Sequence, residues 1–185
     1  MKKLFLFAAI LMMASISSCA QNNNPAAPTE QAADSVKADP VVVKQLPKGL
    51  PVDEILKTIL AEFKGQVVVV DFWATWCPPC MRAMEQIDPI KEKYIKENSP
   101  VAFVYITGET SPLEKWKTTI PGIKGYHYRL SDKEFSSLMR QLGIRGIPCY
   151  YIATKAGEHS YDNIAEGGYP GDDVITAKIE EALSK

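Results

Sequence analysis

Val67-Val68-Val69-Val70-Asp71-Phe72-Trp73-Ala74-Thr75-Trp76-Cys77-Pro78-Pro79-Cys80 is the stretch on which the fold turns. It reads as a buried strand that runs into a tight turn and delivers two cysteines to the start of a helix. Val67 to Val70 are β-branched, apolar and too short a run for a helix, and Gly65 stands just before them. That is the pattern of a central strand covered on both faces. Pro79 suits a first helical turn, whose N–H groups have no intrahelical partner to lose. Met81, Met84, Ile87 and Ile90 then recur at helical spacing.

Two cysteines separated by two residues on a first helical turn can bring their sulfurs within bonding distance. Cys77 falls at the helix N-terminus, where free N–H groups and the positive dipole end favour a thiolate. An exposed thiolate there is a nucleophile towards disulfides, and Cys80, one turn deeper, is the resolving thiol. A structural disulfide or half of a zinc site are the alternatives for a bare CxxC. The preceding strand and Trp76 favour redox chemistry.

The run Val70 to Cys80 (VDFWATWCPPC) resembles the active-site segment of the thioredoxin superfamily. More narrowly, residues from about 41 to 185 are similar to exported, membrane-tethered thiol-disulfide reductases of the TlpA/ResA type, and Gly146-Ile147-Pro148 follows in the expected order. The resemblance implies a thioredoxin-like α/β fold, a central mixed β-sheet flanked by helices, with a TlpA-type insertion. It implies Cys77 and Cys80 as the catalytic, redox-active pair, supported by Asp71, Trp76, Pro78, Pro79, Ile147 and Pro148. Pro148 matches the superfamily's cis-proline, which faces the active-site disulfide, and Ile147 before it would touch an extended substrate. No cofactor and no metal are expected.

Asp71 can also be read from the residues alone. A carboxylate in an apolar strand is costly to ionise when buried, so desolvation raises its pKa and suits it to exchange the Cys80 proton. The alternative is a side chain turned to solvent at the strand end. Thioredoxins often place a lysine in the next strand, where this chain has Tyr105. The glutamate that TlpA/ResA proteins often carry three residues after the second cysteine is Ala83, and the proline five residues after it is Glu85. Asp71 is therefore the remaining acid-base candidate. Peroxidase relatives need a threonine where this chain has Ala74.

Cys149 is the odd thiol, expected to be a buried apolar residue. A redox accessory, or a zinc site with Cys77, Cys80 and His127, are the alternatives; neither His127 nor His159 has ligand spacing to a cysteine. Pro78 and Pro79 supply no N–H to stabilise the Cys77 thiolate, which predicts a low potential and a reductant.

Lys2-Lys3 followed by the apolar run Leu4 to Ile16 reads as a signal segment, too short for a stable membrane anchor. It ends in Ile16-Ser17-Ser18-Cys19, which resembles a bacterial lipobox with Cys19 lipidated. Ordinary signal cleavage after small residues, giving a soluble periplasmic protein, is the alternative. The expected organisation is therefore signal peptide 1–19, disordered tether 20–40 and domain 41–185. The expected place is the cell envelope, as a periplasm-facing lipoprotein held by its lipid anchor. A net charge of -1, from 21 basic and 22 acidic residues, leaves no footprint for nucleic acid. The expected partners are disulfide-containing exported proteins and a membrane electron-donor protein, with apocytochrome c one substrate the resemblance suggests. Rival readings are an oxidase or isomerase of the same fold, and a non-enzymatic binding or metal-carrying module.

Along the domain, Val41 to Leu46 reads as an edge strand. Val52, Ile55, Leu56, Ile59, Leu60 and Phe63 form an amphipathic helix closed by Gly65. The cysteine helix is expected to kink or restart at Asp88-Pro89, with Asp88 as a cap. Val101 to Thr107 is a further buried strand, Leu113 to Lys117 a short inserted helix and Tyr126 to Leu130 a short strand. Asp132 is expected to cap a helix that Gly143 ends. Cys149 to Thr154 and Ser160 to Ile164 form a hairpin, and a last helix from Asp172 is expected to bury Val174, Ile175, Ile179, Ala182 and Leu183.

Overall fold

The computed structural model describes residues 41–185; the expected signal segment, Cys19 and the tether lie outside them. Alternating apolar runs and amphipathic segments build a six-stranded sheet between two layers of helices. In chain order the elements are β1 (Val41–Lys44), α1 (Val52–Ala61), β2 (Val67–Phe72), α2 (Pro78–Lys96), β3 (Val101–Gly108) and α3 (Leu113–Thr119). After a 3-10 turn at Ile120–Gly122 come β4 (Gly125–Leu130), α4 (Asp132–Leu142), β5 (Cys149–Ala153), β6 (His159–Asp162) and α5 (Asp172–Leu183). The strand order is β1-β4-β3-β2-β5-β6. β1, β4, β3 and β2 run parallel, and β5 is antiparallel to both β2 and β6. This is the mixed sheet that the sequence led us to expect.

β2 lies at the centre, and every one of its residues is buried. Because side chains alternate across a strand, Val67, Val69 and Trp73 pack on the face covered by α2, α3 and α5. Val68, Val70 and Phe72 pack on the other, under α1 and α4. The inserted segment contributes α3 and β4, and β4 separates β3 from β1, so the expected edge strand pairs with the insertion.

On its other side β4 lies close against β3. Gly125 opens β4 at a φ of 134°, and an added Cβ would stand 2.5 Å from the Phe103 carbonyl oxygen and 2.8 Å from the Tyr105 ring. Gly125→Ala should therefore cost about 2–3 kcal/mol through backbone strain and the clash, read as a lowered urea midpoint with the slope unchanged.

Four expectations about local structure are corrected. α2 runs unbroken through Pro89, which leaves one carbonyl without a helical donor while Met84, Ile87 and Tyr94 hold the helix against the sheet. Asp88 does not cap; its carboxylate pairs with Lys91 at 2.8 Å. Ser131, rather than Asp132, caps α4: its hydroxyl accepts from the Glu134 N–H while Glu134 accepts from the Ser131 N–H. In α5, Val174 is 38% exposed, because the buried stripe of that helix is Ile175, Ile179 and Ala182.

Candidate functional site

Cys77 is the N-cap of α2, with Pro78 and Pro79 at its first two positions. The two prolines fix φ and remove donors only where no intrahelical acceptor exists. The Cys80 N–H, one turn in, donates to the Cys77 sulfur at 3.2 Å. The helix end is thus aimed at that atom, the arrangement that stabilises negative charge on it. Cys77 and Cys80 are joined in a disulfide, with an S–S distance of 2.01 Å and Cα atoms 5.3 Å apart.

Cys77 was expected to be exposed, and here the structure differs. Cys77 retains 4% exposure and Cys80 none. The closed disulfide turns the Cys77 sulfur towards the loop before β5, 3.7 Å from the Ile147 carbonyl oxygen. What access there is lies at Cys77, next to Trp76, which is 58% exposed.

Two hydrogen-bond sets, each partly buried, hold the loops around the sulfurs. The Thr75 N–H donates to the Ser111 hydroxyl at 3.0 Å, and Ser111 in turn bonds Thr107 at 2.8 Å, tying the turn before Cys77 to the end of β3. On the other side Ile147-Pro148 is a cis peptide. Its loop is held by the Gly168 N–H to the Pro148 carbonyl and by Asn163, which accepts from the Tyr150 N–H and donates to the Gly168 carbonyl.

Asp71 lies on the α2 side of β2, not at the solvent. It is 2% exposed, and neither of its oxygens has a hydrogen bond of good geometry. Desolvation therefore dominates and pushes its pKa up to about 7, although the Tyr150 hydroxyl and the Lys91 ammonium pull it down. Cys149 is wholly buried, as expected for an apolar packing residue, and burial first, then the nearby Asp162 and Asp71, push its thiol up to about 12. His127 stacks on Tyr105 with Nε2 2.8 Å from the Ile123 carbonyl oxygen, and burial lowers its pKa to about 4. Among the described residues no group of three His, Cys, Asp or Glu side chains could hold a metal.

A thioredoxin-like family model matches residues 65–159, just over half of the chain, from the glycine before β2 to the start of β6. The chain belongs to the thioredoxin-like family. Two curated relatives share its centre. The thiol-disulfide oxidoreductase ResA of Geobacillus thermodenitrificans is 22% identical over 99 residues, 54% of this chain and 55% of that protein. The thioredoxin-like protein YneN of Bacillus subtilis is 34% identical over 55 residues, 30% of this chain and 32% of that one. The chain thus spans about a third to a little over half the length of these relatives. Among solved structures, the thioredoxin domain of a thiol-disulfide oxidoreductase from Bacteroides vulgatus superposes with a TM-score of 0.51 at 18% identity, covering 66% of this chain and 82% of that one. That likeness supports the fold.

Within this thioredoxin-like frame, the structure brings together Cys77, Cys80, Trp76, Pro78, Pro79, Ile147 and Pro148 at one end of the sheet. Asp71 lies on the face of β2 that carries Val69 and Trp73, which pack in the same apolar cluster as the cysteines. Lys91 and Tyr150 escape a motif search. Lys91 falls on the apolar stripe Met84, Ile87, Tyr94 of α2, so a cation at that spacing is the signal that finds it. Tyr150 sits opposite Asp71 across an antiparallel ladder that no local pattern reveals.

Proposed function

We propose that the protein is a thiol-disulfide oxidoreductase that acts as a reductant of exported proteins. The observation that carries the reading is a Cys77–Cys80 pair at a helix N-terminus, its leading sulfur facing the Ile147 carbonyl and a buried carboxylate beneath. In the reduced protein the Cys77 thiolate attacks one sulfur of a substrate disulfide, forming a mixed disulfide and expelling the other sulfur as a thiolate. Asp71, with a pKa near the working pH, takes the Cys80 proton. The Cys80 thiolate then attacks the Cys77 sulfur; the bond to substrate breaks, and its electron pair leaves with the second substrate thiolate. Two electrons have passed to the substrate, and the Cys77–Cys80 disulfide remains for a thiol donor to reduce.

An extended substrate would lie along Trp76 and the Ile147-Pro148 edge, where a backbone carbonyl is presented beside the reactive sulfur. A signal segment ending at a lipid-bearing Cys19 would place the domain in the cell envelope. A membrane electron donor would restore the dithiol, and exported proteins with oxidised cysteines, apocytochrome c among them, would be the substrates. The direction of transfer follows from Pro78 and Pro79, which offer the Cys77 thiolate no N–H donor of their own. Less thiolate stabilisation makes the disulfide relatively more stable. A redox titration against glutathione or dithiothreitol should give a potential near the thioredoxin value of about -270 mV; a value near about -120 mV, that of a strong oxidant, would reverse the assignment.

A further inference from the structure

Four polar side chains line up across the sheet beneath the active-site helix. Register places His127 of β4 beside Tyr105 of β3, Tyr105 beside Asp71 of β2, and Asp71 beside Tyr150 of β5, all of them buried. Lys91 comes down onto this row from α2. Its side chain is 2% exposed, with Nζ 3.3 Å from the Tyr105 hydroxyl, 5.6 Å from the centroid of that ring and 2.8 Å from Asp88 Oδ1.

Burying an ammonium is costly unless it is paired and hydrogen-bonded. Asp88 and Tyr105 meet that requirement, yet a Met or Leu would fill the same stripe at lower cost, as Ile87 and Met84 do one and two turns earlier. What the charge adds is a field on a carboxylate neither of whose oxygens has a hydrogen bond of good geometry. The position beside Asp71 on β3 is a tyrosine, so the positive charge on this face reaches Asp71 from the helix above the sheet.

We propose that Lys91 is a positioning residue: its ammonium, fixed over Tyr105 by Asp88, is the counter-charge that favours the ionised Asp71 carboxylate when Cys80 must lose its proton. The proposal rests on the assignment of Asp71 as the base for Cys80. Lys91 exchanges no proton in the step. Its charge favours the carboxylate that accepts the Cys80 proton before the Cys77–Cys80 bond forms and the substrate sulfur leaves with its electron pair.

The groups that act on Asp71 are Tyr105 from β3, Tyr150 and Cys149 from β5 and Lys91 from α2, while α5 packs with apolar Ile175 and Ile179 on this face. Those around Lys91 are Asp88 and Glu85 of its own helix, Tyr105 of β3 and His127 of β4.

The test is a carbon-13 NMR titration of the Asp71 carboxyl in the oxidised full-length chain, with Asp71→Asn identifying the resonance. Lys91→Met should raise the Asp71 midpoint by about half a pH unit or more, because an attracting charge is lost. Asp88→Asn should lower it, because a repelling charge is lost and the Lys91 ammonium is less neutralised. The pH profile for disulfide reduction should move with the midpoint in each variant. Asp88 is half exposed, so its variant keeps the test standing if Lys91→Met does not fold. A folded Lys91→Met whose midpoint stays or falls overturns the proposal, as does an Asp88→Asn midpoint that stays or rises. Midpoints that shift as expected in a protein that reduces no disulfide would instead refute the proposed function and leave the Lys91–Asp71 coupling in place.

Discussion

Replacing Cys77 with serine should abolish disulfide reduction, with a loss of more than about 1,000-fold in an insulin-reduction assay, the scale expected when a catalytic nucleophile is removed. The reason is local. Only at position 77 does a sulfur sit at the N-cap of α2 with an N–H directed at it, and only that member of the pair keeps any solvent access. Serine retains the capping role, since its hydroxyl accepts the same N–H, so the fold should persist while the chemistry is lost. Cys149 cannot substitute: it is fully buried, and its thiol stays protonated at neutral pH. Full activity in Cys77→Ser would assign the reaction elsewhere and restore the reading of a non-enzymatic module.

Asp71→Asn should show the opposite pattern, a more stable protein and a poorer reductant. The Asp71 carboxyl titrates at about 7 in the folded chain against an ordinary 3.8, chiefly because it is desolvated. The folded state therefore binds this proton more tightly than the unfolded chain does. Its contribution to stability is fully present below about pH 4 and is lost as pH rises through about 7. Above that range the buried ionised group costs on the order of 4 kcal/mol, a shift of about three units at 1.36 kcal/mol each. Asparagine does not ionise. Urea unfolding of the oxidised protein should show Asp71→Asn gaining a few kcal/mol over the parent at about pH 8.5 and little at about pH 4. Removing the base should slow the resolving step on the order of 100-fold at neutral pH. A parent stability that does not fall between those two pH values would mean that Asp71 is already paired. The chain keeps a destabilising group at the strand below its cysteines, as expected where a perturbed carboxyl has chemical work.

The line of valines, the cysteine spacing and the helical stripes were legible because each is a local pattern. A β-branched run followed by CxxC can be read as strand, turn and helix from short-range physics alone, and the helices of residues 52–61 and 172–183 follow from their apolar spacing. Tertiary support decided the details that sequence reading missed. Pro89 argues locally for a break, yet the burial of Met84, Ile87 and Tyr94 carries α2 through it. Asp132 and Ser131 are both good capping residues, and only the reciprocal bond to Glu134 chooses between them. Val174 is apolar like its neighbour Ile175, and the packing direction of α5 leaves it outside.

The site divides in the same way. Cys77, Cys80 and the two prolines are contiguous and carry their own motif, whereas Asp71 gains its environment from three other elements. Tyr105, Tyr150 and Lys91 come from β3, β5 and α2, and they meet around one carboxyl only when parallel and antiparallel registers are both known. Sequence suggested that Asp71 is costly to bury, but its charge partner had to be found in space. The expectation of an exposed Cys77 failed for a related reason. The loop that carries Ile147 and Pro148, distant in sequence, folds over the sulfur.

The most direct measurement is a trapping experiment on the reduced protein with Cys80→Ser, which removes the resolving thiol and leaves the nucleophile in place. Mixed with a disulfide-containing peptide and analysed by mass spectrometry after digestion, it should carry one peptide joined through a disulfide to Cys77. Under the same conditions Cys77→Ser should carry none. Absence of an adduct in Cys80→Ser, or an adduct mapped to Cys149, would contradict the assignment of Cys77 as the attacking sulfur.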